Sequence, residues 1–341
     1  LVMAEAVTGA GSYLPAIADL AWAICEESAW QLPAHNSYIR DTPQLPLPDV
    51  TRPIVDLFAA ETGALIATVY GLLGAALDGY APGFSVRLKG EVERRVLAPY
   101  RTAHFWWMGS GEEPMCNWTP WCTQNVLLAA AQCAPAETLP VYVKQAAYSI
   151  DCFLKDYGED GCCSEGAQYY RHAALTMFNA LDLLCRIAPG VFDDVWAEPK
   201  IRNMAEYIVN MHIAGPYYLN FADCSPLAGA RGVREFLFGQ RVASAPLMKL
   251  AAGSRRFGGV RMFGYEAVRD ETREMQLDAL SFLVPDGTLF CAFMGTDRSL
   301  VGWKENLNLS FMDAVPAQIG AAEDGRTWDS AAQWGVLDAQ T

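Results

Sequence analysis

The sequence contains little positive charge and few histidines. It has 25 Lys and Arg residues against 39 Asp and Glu residues, a formal net charge of -14, and four histidines. This balance argues against general nucleic-acid binding, which needs a basic surface. It leaves an anionic substrate open, because a local basic cleft can lie on an acidic protein.

The sequence also lacks a C-x-x-C pair, a metal-ligand spacing and an apolar run long enough to span a membrane. We therefore expect no metal, no cofactor and no membrane span. The ten cysteines lie mostly in apolar segments, which favours buried reduced thiols over a disulfide framework. No signal-peptide pattern opens the chain, and a cytoplasmic location is the expectation. Helix-like sequence begins at residue 1, which is the pattern expected of a fragment.

Helix-like segments with short Gly and Pro breaks fill most of the chain, and this pattern is typical of an all-α protein. The predicted helices cover residues 1–30, 51–79, 84–100, 121–134, 137–156, 166–187, 194–213 and 231–252. Many of them are apolar on more than one side. That favours paired helices in two rings, a complete or incomplete α/α toroid, over a four-helix bundle, although periodicity alone leaves both open.

The pattern changes near residue 253. Residues 277–284 and 288–294 are rich in β-forming residues and flank Pro285-Asp286-Gly287, a turn signal. We predict a mainly α domain over residues 1–252 and a small α+β tail with a β-hairpin over residues 253–341.

Five stretches of the first domain carry a family resemblance: WQLPAHN, DLFAAETGALIATVYGLL, NWTPWC, DGCCSEGAQYYRHA and YYLNFADCSP. With them, residues 1–252 resemble the heparinase II/III-like family of polysaccharide lyases. The resemblance implies an α/α toroid that normally precedes a β-sandwich, with the active site in the cleft between them. It also implies an acidic, uronate-containing polysaccharide or oligosaccharide as the binding partner.

The tail resembles a different family. RFGGVRMFGYE, QLDALSFLVPDGTLFCAFMGTD and VGWKENLNLSF are similar to the start of an uncharacterised, lipase-like α/β-hydrolase family. Met294 stands where that family usually has Arg, before a Gly-Thr-Asp turn that resembles an oxyanion-side loop. The chain has no G-x-S-x-G motif, and the tail offers Ser281, Ser299, Ser310 and Ser330 without a histidine. Together the two resemblances predict a composite chain.

β-Elimination requires a group that neutralises the uronate carboxylate, and a base and an acid that move protons. By the family resemblance, Asn117 is the neutralising group and Tyr169 the catalytic tyrosine, with Tyr170 as the alternative. On a helix, Glu165, Tyr169 and His172 would share one face. A structural interpretation stays open, in which Asn117 shapes a turn, Glu165 supports a helix start and the tyrosines pack.

Further candidates for substrate binding are aromatic, basic or imidazole side chains near these motifs. We expect one or two of Trp106, Trp107, Trp118 and Trp121 to form sugar platforms and the others to lie in the core. His35, His104 and Arg40 are candidate cleft residues, although a lone histidine is commonly structural and an exposed arginine commonly solvated.

All four histidines precede the tail, whereas the family usually completes its site with a histidine from the β-sandwich. We therefore expect little or no lyase activity from this chain alone. A non-catalytic carbohydrate-binding toroid is the second hypothesis, and a hydrolase fragment is the third.

Overall fold

The computed structural model describes residues 1–254, except positions 41, 111, 216 and 230, together with the backbone of four strands farther along the chain. The chain divides into two compact units, Leu1–Ser254 and Arg255–Thr341. The Pro285–Gly287 turn, Met294, the Gly-Thr-Asp turn after it, and Ser299, Ser310 and Ser330 lie outside the described residues.

The first unit is mainly helical, as the sequence predicts. Its helices are α1 (Val2–Thr8), α2 (Leu14–Glu26), α3 (Leu57–Tyr80), α4 (Phe84–Val92), α5 (Ala98–Thr102), α6 (Trp118–Cys133), α7 (Leu139–Asp156), α8 (Ala174–Ile187), α9 (Pro199–Met211), α10 (Val233–Arg241) and α11 (Ala245–Ser254). A π-helical turn, Glu93–Leu97, joins α4 to α5, and short 3-10 turns lie at Trp106–Met108, Tyr169–Arg171 and Asp193–Ala197. The arrangement of these helices as a toroid stays a prediction.

Several predicted helices are shorter or broken, for local reasons. The segment 1–30 breaks between α1 and α2, where Gly9 and Gly11 have φ of 59° and 75°. The segment 231–252 breaks where Ala243 has φ of 53°. Helix α3 begins at Leu57 instead of near residue 51, because the Asp56 carboxylate accepts the Ala59 N–H at 2.7 Å and caps the first turn.

Helix α3 is long and apolar enough to cross a membrane, by length and composition alone. It has 24 residues, yet Ala60, Ala67 and Leu77 are fully buried inside the first unit. It packs against α4 and α6. The sequence-based statement that no apolar run is long enough to span a membrane is therefore wrong, although these buried residues are those of a core helix.

The core of the first unit consists of two apolar clusters. One contains residues of α2 to α6, including Val55, Leu88 and Trp107, and the other extends through α7 to α11. Helix α6 contributes to both, because Val126 belongs to the first cluster and Leu127 to the second. The middle of α6 therefore packs against both clusters.

Two small sheets complete the description. Strands β1 (His212–Ala214) and β2 (Tyr217–Tyr218) pair antiparallel in the first unit. The second unit has β3 (Arg261–Asp270), β4 (Met275–Leu283), β5 (Leu289–Phe293) and β6 (Gly335–Leu337), in the order β3-β4-β5-β6 with antiparallel neighbours. The predicted hairpin over residues 277–294 requires its two strands to pair antiparallel, and β4 and β5 pair in this way.

Candidate functional site

Asn117 lies at the N-terminal cap of α6. Its side chain makes no capping hydrogen bond, and the residue is only 9% exposed. Its backbone carbonyl accepts the Trp121 N–H at 3.1 Å. The side-chain amide has no hydrogen-bond partner within the described part of the chain. The positive end of the α6 dipole favours an anion close to this position.

His35 is held by a buried carboxylate at the start of α3. The distance from its Nδ1 to Asp56 Oδ2 is 2.7 Å, and the Asp56 side chain is fully buried. The imidazole also lies edge-on to Trp118, with ring centroids 4.7 Å apart, and parallel to Phe58 at 6.3 Å. The loop after α2, the start of α3 and the start of α6 thus meet at His35.

A cavity of about 330 Å³ opens beside His35. Arg40, Trp106 and Trp118 are among the side chains that line it. The Arg40 guanidinium lies 4.9 Å from the centroid of the Trp106 ring, and the rings of Trp106 and Trp118 are 5.1 Å apart. A cation and two indoles therefore share this cavity with the imidazole.

A second group of rings lies one helical turn farther along α6. Trp121 stacks on His172, with centroids 4.1 Å apart and ring planes 13° apart. The His172 ring also lies 5.9 Å from that of Tyr169, and Trp121 Nε1 donates to Glu61 at 2.6 Å. Phe58 and Glu61 are three residues apart on α3, and Trp118 and Trp121 are three residues apart on α6. Each group of rings is therefore supported by one turn of α3 and one turn of α6.

Two arginines, Arg171 and Arg234, contribute positive charge at His172. Arg171 Nε donates to His172 Nε2 at 2.9 Å, so that nitrogen is unprotonated in this geometry. Burial is the largest cause that lowers the pKa of His172, and the charges of Arg171 and Arg234 add to it; together they bring the pKa to about 4. The imidazole is therefore neutral near pH 7, while the Arg171 guanidinium that is bonded to it carries charge and the charge of Arg234 also acts on it.

Glu165 does not share a helical face with Tyr169, contrary to the sequence-based expectation. It lies before the 3-10 turn, and Gly166, with φ of 91°, separates it from that turn. Burial raises the pKa of the Glu165 carboxyl, and the charge of Asp223 adds to the effect. Tyr169 and His172 still meet, because side chains three residues apart are aligned in a 3-10 turn.

Two candidates lie in the core. Trp107 is 1% exposed, donates to the Val55 carbonyl at 2.8 Å and stacks on Phe105, so it offers no ring face to a sugar. Tyr170 is fully buried and donates to the Ala205 carbonyl at 3.1 Å. Burial raises the pKa of Tyr170 well above its usual value, which disfavours the phenolate that catalysis would need.

The structure brings together most of the predicted set and adds groups that sequence reasoning missed. His35 and Trp118 lie in one group of rings, Trp121, Tyr169 and His172 lie in the other, and Arg40 lies against Trp106. His104 is exposed and does not line the cavity. The additions are Asp56, Phe58, Glu61 and Arg234. Of these, only Asp56 left a signal, because an Asp directly before an apolar helical run is a typical N-cap.

Comparison with known families concerns the tail. A family model described as Mbeg1-like matches residues 251–326. The matched segment is a minority of the chain, so it shows a similarity of that region and does not assign the whole protein. No curated protein matches the chain.

Among the residues that the structure describes, no group of His, Cys, Asp and Glu side chains could hold a metal ion. The cysteines described in the first unit are free thiols.

Proposed function

We propose that the first unit is the saccharide-binding part of a polysaccharide lyase site and binds an acidic, uronate-containing chain at the N-terminal end of α6. The observation that carries the proposal is the double group of rings, Trp106–Trp118–His35 and Trp121–His172–Tyr169. Aromatic faces suit the apolar faces of pyranose rings.

Charge supports an acidic saccharide. The chain as a whole carries a net charge of -14, yet Arg40 lines the cavity and Arg171 and Arg234 lie around His172. A local cationic surface on an acidic protein selects anions from solution. Guanidinium groups also match carboxylates geometrically, through paired N–H donors.

The chemistry we propose is β-elimination with Tyr169 and Asn117 in the two central roles. The Asn117 amide hydrogen-bonds the uronate carboxylate without adding negative charge. The Tyr169 phenolate takes the proton from the carbon next to that carboxylate. The electron pair forms a carbon–carbon double bond, the glycosidic carbon–oxygen bond breaks, and the leaving oxygen takes up the proton.

Binding is the first test. Intrinsic tryptophan fluorescence would be titrated with heparin, heparan sulfate, hyaluronan, chondroitin and alginate. We expect Trp121→Ala to weaken binding about tenfold, or about 1.4 kcal/mol. Trp22→Ala is the matched control, because Trp22 is a half-exposed tryptophan on α2 that stacks on Phe84 instead. Failure of all five polysaccharides to bind would refute the proposal.

Chemistry is tested separately, through the ultraviolet absorbance of the unsaturated uronate product. We expect weak product formation that Tyr169→Phe abolishes and Tyr170→Phe, the buried neighbour, preserves. Binding by Tyr169→Phe should stay intact. Product formation that survives in Tyr169→Phe would remove Tyr169 from the mechanism, and binding without any product would leave a carbohydrate-binding unit.

A further inference from the structure

The carboxylate of Asp56 has three hydrogen-bond partners. Its Oδ1 accepts the Ala59 N–H at 2.7 Å, and its Oδ2 accepts the Leu32 N–H at 3.1 Å and bonds His35 Nδ1 at 2.7 Å. Because backbone N–H groups donate to both oxygens, Asp56 is an acceptor in this geometry. With Asp56 as the acceptor, His35 Nδ1 carries the proton in this pair.

The other nitrogen of the ring is then the reactive one. With Nδ1 protonated, the Nε2 of a neutral imidazole is a hydrogen-bond acceptor. Nε2 has no partner among the residues that the structure describes, although the ring itself is fixed by Phe58, Trp118 and Asp56. The His35 side chain is 25% exposed and lines the cavity. Because the ring is fixed, its Nε2 can accept a hydrogen bond from a ligand hydroxyl in the cavity.

We propose that the cavity beside His35 is a second saccharide subsite, in which His35 Nε2 accepts a hydrogen bond from a sugar hydroxyl and Asp56 is the positioning residue. This inference rests on the proposed function and extends it by predicting that two adjacent sugar rings of the ligand are bound. One sugar ring would stack on Trp121, and the next would enter the cavity that Trp118 and Trp106 line.

The spacing along α6 suits adjacent sugar rings. Trp118 and Trp121 are three residues apart, which is about 4.5 Å along the helix axis, and they are neighbours on the helix surface. Neighbouring positions on one helix surface suit a ligand chain that runs from one subsite to the other. The protein should prefer an oligosaccharide over a single uronate.

The closing experiment compares a uronate monosaccharide with a tetrasaccharide in calorimetric titrations. We expect the unaltered protein to bind the tetrasaccharide at least about tenfold more tightly. His35→Phe keeps a ring but removes Nε2, and it should reduce this preference to about twofold or less. Trp121→Ala should weaken both ligands and identifies the first subsite.

A second measurement does not depend on how well the variant folds. The nitrogen chemical shifts of the His35 ring in the unaltered protein should show the Nδ1-protonated tautomer. The Nε2 resonance should move when the tetrasaccharide saturates the site. An Nε2-protonated ring, or an Nε2 resonance that saturation leaves unchanged, would overturn the inference.

The two proposals fail in different ways. Binding that depends on Trp121 but not on His35 would overturn the second subsite and leave the proposed function standing. Absence of binding by any uronate saccharide would overturn both.

Discussion

The segment that carries Glu165 and Tyr169 depends on a glycine, and we predict that Gly166→Ala disrupts it. Gly166 has φ of 91°, a left-handed conformation that side chains other than glycine rarely adopt. A Cβ at this position would lie 2.6 Å from the Phe221 carbonyl oxygen and 2.6 Å from the Cys224 Cβ. The first contact is with backbone, so a side-chain rotation cannot relieve it.

Two costs add at this position. The left-handed conformation costs an alanine about 1–2 kcal/mol. Overpacking a well-filled site typically costs about 1–3 kcal/mol more. We therefore expect Gly166→Ala to lower the free energy of unfolding by about 2–5 kcal/mol and to weaken saccharide binding, because the 221–224 loop or the Tyr169 turn must move.

Gly190→Ala is the matched control. Gly190 has a similar φ of 81°, but no atom lies within 4 Å of its added Cβ. This variant should show only the conformational cost of about 1–2 kcal/mol. Both would be measured by urea unfolding, followed by helix circular dichroism because the helices lie in the first unit. Equal losses in the two variants would refute the packing argument.

Two further predictions concern single side chains of the same region. Tyr170→Phe should lose the hydrogen bond to Ala205 and lower the free energy of unfolding by about 1 kcal/mol in urea unfolding, with product formation retained; loss of product in a folded variant would contradict the core assignment. The pKa of His172, about 4 in the folded protein, lies below the ordinary value near 6.5 for an unfolded histidine. The unfolded chain then binds more protons between these values, so this histidine's contribution to stability is present above about pH 6.5 and is lost as the pH falls toward 4. Arg234→Gln should raise the pKa of His172 in a proton NMR titration, whereas Arg202→Gln, a surface arginine paired with Glu206, should not.

The helical character of the first unit could be predicted because its signal is local. Apolar periodicity and Gly or Pro breaks identified the segments that contain α3, α6 and α7. The ends were less predictable, since they depend on distant partners. Asp56 caps the N-terminus of α3 and so sets where the helix begins. The same carboxylate also binds Leu32 and His35, more than twenty residues earlier in the sequence.

The candidate site was only partly predictable for the same reason. Tyr169 and His172 come together as expected, although through a 3-10 turn instead of an α-helix. Glu165 does not join them, because the left-handed Gly166 interrupts the segment. The family resemblance favoured Tyr169 over Tyr170, but the burial of the second phenol under Ala205 depends on the packing of α9 and has no local sequence signal.

The position of α6 between the two apolar clusters has a thermodynamic consequence for the site. His35, in the loop after α2, and Asp56, directly before α3, lie beside the first cluster, whereas Tyr169 and Tyr170 pack in the second. A saccharide that spans both groups of rings would contact side chains whose positions depend on different clusters. Such a ligand binds only when both clusters are folded and packed on α6, so its binding free energy stabilises their association.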